Sequence, residues 1–147
     1  MKKVARVPDI LEREVEPTIK EWLRRVNLVP ELTDIPLSDA DRTGHLPKLF
    51  HDLICRLRLV KDAPSPVSAA AVAHGKIRCA QGYSVPMLVD ESRALQVAIF
   101  STLNAHQSKM NHNQMLLDII VIADEVEMQL METVRGLMAA KTAKVAA

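Results

Sequence analysis

The sequence predicts an all-α fold of six or seven helical pieces, the last of them long, and three observations carry that prediction. Apolar residues recur with the 3.6-residue period of a helix in one segment after another. Aromatic residues make up only 3% of the chain (Trp22, Tyr83, Phe50 and Phe100), so the core is built from Leu, Ile, Val, Met and Ala, which suits helix-on-helix packing. Four glycines and the lack of alternating β-branched runs leave a sheet almost without support.

The first segment, residues 8–27, sets Ile10, Leu11, Val15, Ile19, Trp22, Leu23 and Val26 on one helical face. Pro17 is expected to kink that helix or divide it in two. Residues 27–37, with Pro30 and Pro36, read as a loop. Ser38 has the character of an N-cap, with Asp39 and Asp41 favourable near the positive helix end. Pro47 then separates a short helix, 38–45, from a longer one, 47–59, whose buried face is Leu49, Phe50, Leu53, Ile54, Leu57 and Val60. Residues 62–66 are a connector, and Ser65-Pro66 resembles an N-cap with proline at the first helical position. The helix predicted over 66–80 is rich in Ala and Val, so neighbours can approach its backbone closely. The next, 85–105, is without charge from Ala94 to Ala105, which argues for burial on most sides. Residues 104–113 are polar and turn-like. A final helix runs from 112–114 to 140, and residues 141–147 are expected to be frayed. Its stripe of Leu116, Ile119, Ile120, Ala123, Val126, Leu130, Val134 and Leu137 alternates in threes and fours, which suits a core helix or a coiled-coil seam. The arrangement is either globin-like or a helical bundle.

At 147 residues the chain holds one domain with a proper core, expected over residues 8–138, with 139–147 a tail or the start of a linker. The formal net charge of +1 gives no electrostatic case for nucleic acid or an anionic membrane surface. No run of 18 uncharged apolar residues exists, and no apolar region follows the M-K-K start, so the chain reads as cytoplasmic. Cys55 and Cys79 are expected to be buried, reduced thiols rather than a disulfide.

The richest stretch is 74–93. His74, Arg78 and Gln81 fall on one helix face, Gln81-Gly82-Tyr83-Ser84 breaks the helix, and Ser84 with Pro86 starts the next, which carries Glu91 and Arg93. Residues His74, Arg78, Gln81, Tyr83, Glu91 and Arg93 are therefore the candidate site, either a ligand-binding or signalling cluster or a polar clasp of Arg78 with Glu91 across the corner. The five histidines form no HxxxH or H-E-x-x-H pair and neither cysteine has a C-x-x-C partner, so no metal site is expected. Haem, which needs one axial histidine, is the alternative cofactor, against which stands the scarcity of aromatics. His51-Asp52 and His45-Leu-Pro-Lys48 are partial matches to phosphoacceptor motifs, and a phosphotransfer or plain dimerisation module is a further alternative. No nucleophile or phosphate-loop motif is present, so the chain does not read as an enzyme.

Ser38-Asp39, His45-Leu46-Pro47-x-Leu49, the run His74-Gly75-x-x-Arg78-x-x-Gln81-Gly82-Tyr83-Ser84, and Leu88 with Glu91-x-Arg93 are together similar to the RsbR/RsbRD-type N-terminal sensor domain. The resemblance covers residues 9–138, with Trp22-Leu23 agreeing as well. It implies a globin-like, non-haem, homodimeric sensor ahead of a stressosome-type or sensor-histidine-kinase output module, in cis or in trans. It also implies that the final helix continues as a signalling coiled coil and that an unknown small-molecule signal is possible.

Overall fold

The computed structural model describes residues 4–59 and 69–146. These form α1 (Val7–Arg13), α2 (Val15–Val26), α3 (Pro30–Thr33), α4 (Asp39–Thr43), α5 (Leu46–Arg58), α6 (Ala69–Ala80), α7 (Val85–Ala105), a 3₁₀ turn (Gln107–Lys109) and α8 (His112–Ala146). The fold class is all-α. Among the described residues there is no strand, only an isolated bridge of Ala5 with Met110. None of these helices is long and apolar enough to cross a membrane. The expected Ser65-Pro66 helix start, the 62–66 connector and Val60 lie outside the described residues.

The first predicted helix is divided, and the break falls at Glu14. Pro17 therefore sits in the first turn of α2, where its missing N–H has no intrahelical partner to lose. The loop expected over 27–37 contains the single turn of α3, started by Pro30. Ser38 caps α4 as expected, its hydroxyl accepting from the Asp41 N–H at 3.1 Å. Gly82 closes α6 with φ +93°, a left-handed conformation natural to glycine. The N–H of Tyr83 reaches the Arg78 carbonyl at 3.0 Å and that of Gly82 the Cys79 carbonyl at 3.1 Å. These are the two bonds of a Schellman cap.

The core joins α1 to α5 through Val7, Ile10, Leu11, Phe50, Leu53 and Leu57, and α2 to α7 through Trp22, Val26, Leu95 and Ile99. Ile122 and Val126 bring α8 against the same cluster. Each fully buried Leu, Ile or Phe contributes on the order of 1.5–3 kcal/mol. The contact of α6 with α8 is of a different kind, because it is made by backbone. A Cβ on Gly75 would collide with the Thr133 carbonyl, and one on Gly136 with the Val72 carbonyl.

Two expectations about the last helix change. It does not fray after 140 but stays helical to Ala146, since Lys141–Ala146 holds good helix formers and no proline or glycine. The predicted seam also divides: Leu116 and Ile120 are exposed, Ala123, Leu130 and Val134 half-buried, and Leu137 fully buried against α6. A straight helix drifts by about 20° per heptad relative to a strict seven-residue repeat, so a seam followed over three heptads rotates into the core. At the exposed end the outer face instead continues through Met131 and Met138.

Cys55 is exposed on α5 rather than buried, its Sγ 3.6 Å from His51 Nε2, and Cys79 is half-buried; both are free. Cys55 lies one residue past the buried pair Leu53 and Ile54, which turns it towards solvent.

Candidate functional site

The run from His74 to Ser84 can now be assigned side chain by side chain. Gly75 lets α6 meet α8, and Gly82 makes the turn that brings Glu91 of α7 within reach of Arg78 on α6. Arg78, which has no exposed surface, reaches across the corner to Glu91 in a two-pronged ion pair. Its Nε donates to Oε1 at 3.0 Å and its Nη2 to Oε2 at 3.1 Å. Arg78 Nη1 donates to Gln81 Oε1 at 2.8 Å and Nη2 also to the Arg42 carbonyl at 2.8 Å. The guanidinium carbon stands 4.6 Å from the centre of the Tyr83 ring, a cation–π contact. The Tyr83 hydroxyl donates to Glu91 Oε2 at 3.2 Å.

Arg42 completes the cluster and is a residue that sequence reasoning missed. It is buried, and its Nη1 donates to the Tyr83 hydroxyl at 3.0 Å and to the Leu32 carbonyl at 3.2 Å, while Nη2 reaches the Ile35 carbonyl at 2.8 Å. Those carbonyls belong to the loop around α3, so Arg42 ties that loop to the corner. Within Asp39–Thr43 it stands between aspartates and reads as a solvated charge. Arg93 does the reverse: it is exposed, two residues past Glu91 and therefore on the far side of α7, and the structure does not bring it to the cluster.

Burial pushes the Glu91 carboxyl upward from its ordinary range, opposed chiefly by Arg78. Burial and then the Glu91 charge push the Tyr83 hydroxyl up to about 12. Trp22 Nε1 donates to the Glu91 carbonyl at 3.0 Å, which fixes α2 to the same turn of α7. The Arg78–Glu91 pair across the corner is present, and Gln81 and Tyr83 bond to its two side chains. The Arg78 and Glu91 charges are thus matched to each other within the protein.

His74 is different. Its ring stacks on that of His45 with 3.7 Å between centres and 12° between planes, and the Trp22 ring meets His45 edge-on at 5.8 Å. His45 stands at the N-cap of α5, delivered there by the Gly44 turn after α4. Packing of protein around the ring holds His45 well below its ordinary range, helped by His74 and by Arg78. His74 is pulled down to about 3, first by burial and then by the Arg78 charge. Both imidazoles are neutral at pH 7. The Nδ1 atom of His45 is buried with no hydrogen-bond partner among the described residues.

This pair stands between two spaces. Outside it, α4, α5, α6 and α8 surround a cleft of about 400 Å³. Inside it, a cavity of about 40 Å³ is walled by Trp22, Leu46, Leu88, Leu95, Val126 and Leu130. His45, Leu49, His74, Gln129 and Thr133 border both. The remaining histidines lie elsewhere: His51 is exposed on α5, His112 is exposed at the start of α8, and His106 bonds to the Thr102 carbonyl at 2.9 Å. Among the described residues no group of three or more His, Cys, Asp or Glu is placed to hold a metal ion.

Comparison of the chain with models of known protein families, with curated proteins and with solved structures finds no match.

Proposed function

We propose that the chain is a non-enzymatic, cytoplasmic signal-sensing domain that works as a homodimer. Occupancy of the cleft at His74 and His45 shifts the packing of α8, and α8 passes the change to a kinase or similar output module in cis or in trans. The observation that carries this reading is that one continuous helix serves both ends. α8 borders the cleft with Gln129 and Thr133, and on its outer face leaves Leu116, Ile120, Met131 and Met138 exposed. The likeness of the His74–Ser84 run to the RsbR/RsbRD-type sensor supports it, and with it the globin-like, haem-free arrangement that the likeness implies.

Native mass spectrometry of the purified chain tests the proposal. The expected result is a dimer without added haem mass, which Leu116→Glu together with Ile120→Glu converts to monomer. Both side chains are exposed, so the double variant keeps its helical content. A wild-type monomer at tens of micromolar overturns the dimeric reading, and a bound mass equal to haem overturns the haem-free one.

A further inference from the structure

Among the described residues the charged groups at the cleft are matched within the protein, except Asp41, which stands exposed to solvent on the rim. Lys48 Nζ holds Asp52 at 2.7 Å on the rim, and Arg78 is matched by Glu91. Gln129 donates to Glu125 at 3.2 Å, and the Thr133 hydroxyl donates to the Gln129 carbonyl at 2.8 Å. The imidazoles of His45 and His74, which line the cleft, make no hydrogen bond among the described residues, and the Nδ1 atom of His45 is buried as well. A ring nitrogen kept from water without a partner is unfavourable, so the site favours an occupant that offers the imidazole pair a hydrogen bond. A neutral imidazole nitrogen donates or accepts according to its tautomer, which permits a hydroxyl, an amide or a ring N–H as that partner. Apart from Asp41 and Gln81 at its edges, the rest of the wall is small or apolar, with Leu49, Ala70, Ala71, Ala73 and Ile77. About 400 Å³ lies within the range of pockets that hold small organic ligands.

We infer that the cleft binds a small, uncharged, largely apolar molecule that carries one compact hydrogen-bonding group for the stacked imidazoles of His45 and His74. An anion finds no unmatched cation there, since Arg78 and Lys48 are both paired. A cation at the histidines meets the Arg78 charge behind His74 and two imidazoles that are neutral at pH 7, while the Asp41 carboxylate on the rim is exposed and keeps its water. The α6 alanines leave room for a flat body to lie along the helix. This inference rests on the sensing reading and supplies the ligand class for it.

Three flat molecules of one shape and three charges test it: benzamide, benzoate and benzamidinium. Each is titrated into the full chain, with binding read from the imidazole ¹⁵N resonances and from the melting temperature. Benzamide is expected to move the His45 and His74 resonances, and the two charged analogues to bind at least about tenfold more weakly. Ala73→Phe, which fills the cleft from an exposed position on α6, is expected to abolish benzamide binding and leave the melting temperature of the free chain unchanged. Equal or tighter binding of either ion, insensitivity to Ala73→Phe, or no benzamide binding up to its solubility limit overturns the inference. Native mass spectrometry of the same samples separates the two proposals. Benzamide bound selectively to a chain that is monomeric throughout sinks the dimeric sensor and leaves the ligand class standing.

Discussion

The Arg78 guanidinium is sealed from solvent and held by four acceptors: both oxygens of Glu91, the Gln81 amide oxygen and the Arg42 carbonyl. Removing one partner of a buried pair leaves the other charge stranded, which costs about 3–5 kcal/mol, whereas removing both costs much less. Arg78→Met is therefore expected to destabilise the chain by about that amount, and adding Glu91→Leu to recover part of the loss, as read from urea melts. A single-variant cost under about 1 kcal/mol is incompatible with the pair as described. The histidines set a pH dependence of definite sign. His74, at about 3 when folded, titrates near 6.5 when unfolded. Between those values the unfolded chain binds more protons. The stabilisation is thus complete above pH 6.5 and is lost as the pH falls through that window. His45 is shifted in the same direction. His74 is expected to lose about 1–2 kcal/mol of stability between pH 7 and pH 5, and His45 to add a loss of the same sign. Glu91, raised by burial, acts with the opposite sign, so the difference between wild type and His74→Gln isolates the histidine contribution. Parallel melting curves across that range count against neutral, buried rings.

Among the elements, α6 and α8 form the pair whose geometry is set by backbone rather than side-chain volume. Glycine to alanine in a helix interior ordinarily gains up to about 1 kcal/mol through propensity. At Gly75 and Gly136 the new methyl would overlap a carbonyl of the facing helix, and backbone cannot turn aside as a long side chain does. Overpacking of this kind costs about 1–3 kcal/mol, and more where nothing yields, so steric overlap wins over propensity. Gly75→Ala and Gly136→Ala are each expected to lower the midpoint of unfolding and to weaken binding in the cleft, because α6 must move away from α8. A rise in stability for either variant would mean that the helices are farther apart than described. The same closeness explains why His74 reaches His45: one turn of α6 is fixed against α8 at Gly75, and the residue before it faces α5.

At the scale of the whole molecule, legibility in the sequence follows from range. α7 occupies Val85–Ala105, the span expected from its uncharged run, and Pro47 and Pro86 mark the starts of α5 and α7, because these signals act within one turn of helix. α3 is hidden, since a four-residue helix has no period to detect. The Arg78–Glu91 clasp is legible because a single tight turn joins its two helices. Arg42 and His45 are not, since only tertiary packing brings them 36 and 29 residues along the chain to Arg78 and His74. Arg93 could have been set aside from the helical period alone, being two positions from Glu91. One feature of the packing reaches beyond structure. Trp22 is the one tryptophan in the chain, its indole bonded to the Glu91 carbonyl, bordering the inner cavity and edge-on to His45. The intrinsic fluorescence of this protein therefore originates beside the small cavity, against one of the two histidines that separate it from the cleft. A protonated imidazole quenches a neighbouring indole and a neutral one does so far less. The natural chain thus carries an optical reporter of the proton and ligand state of His45, with no label attached.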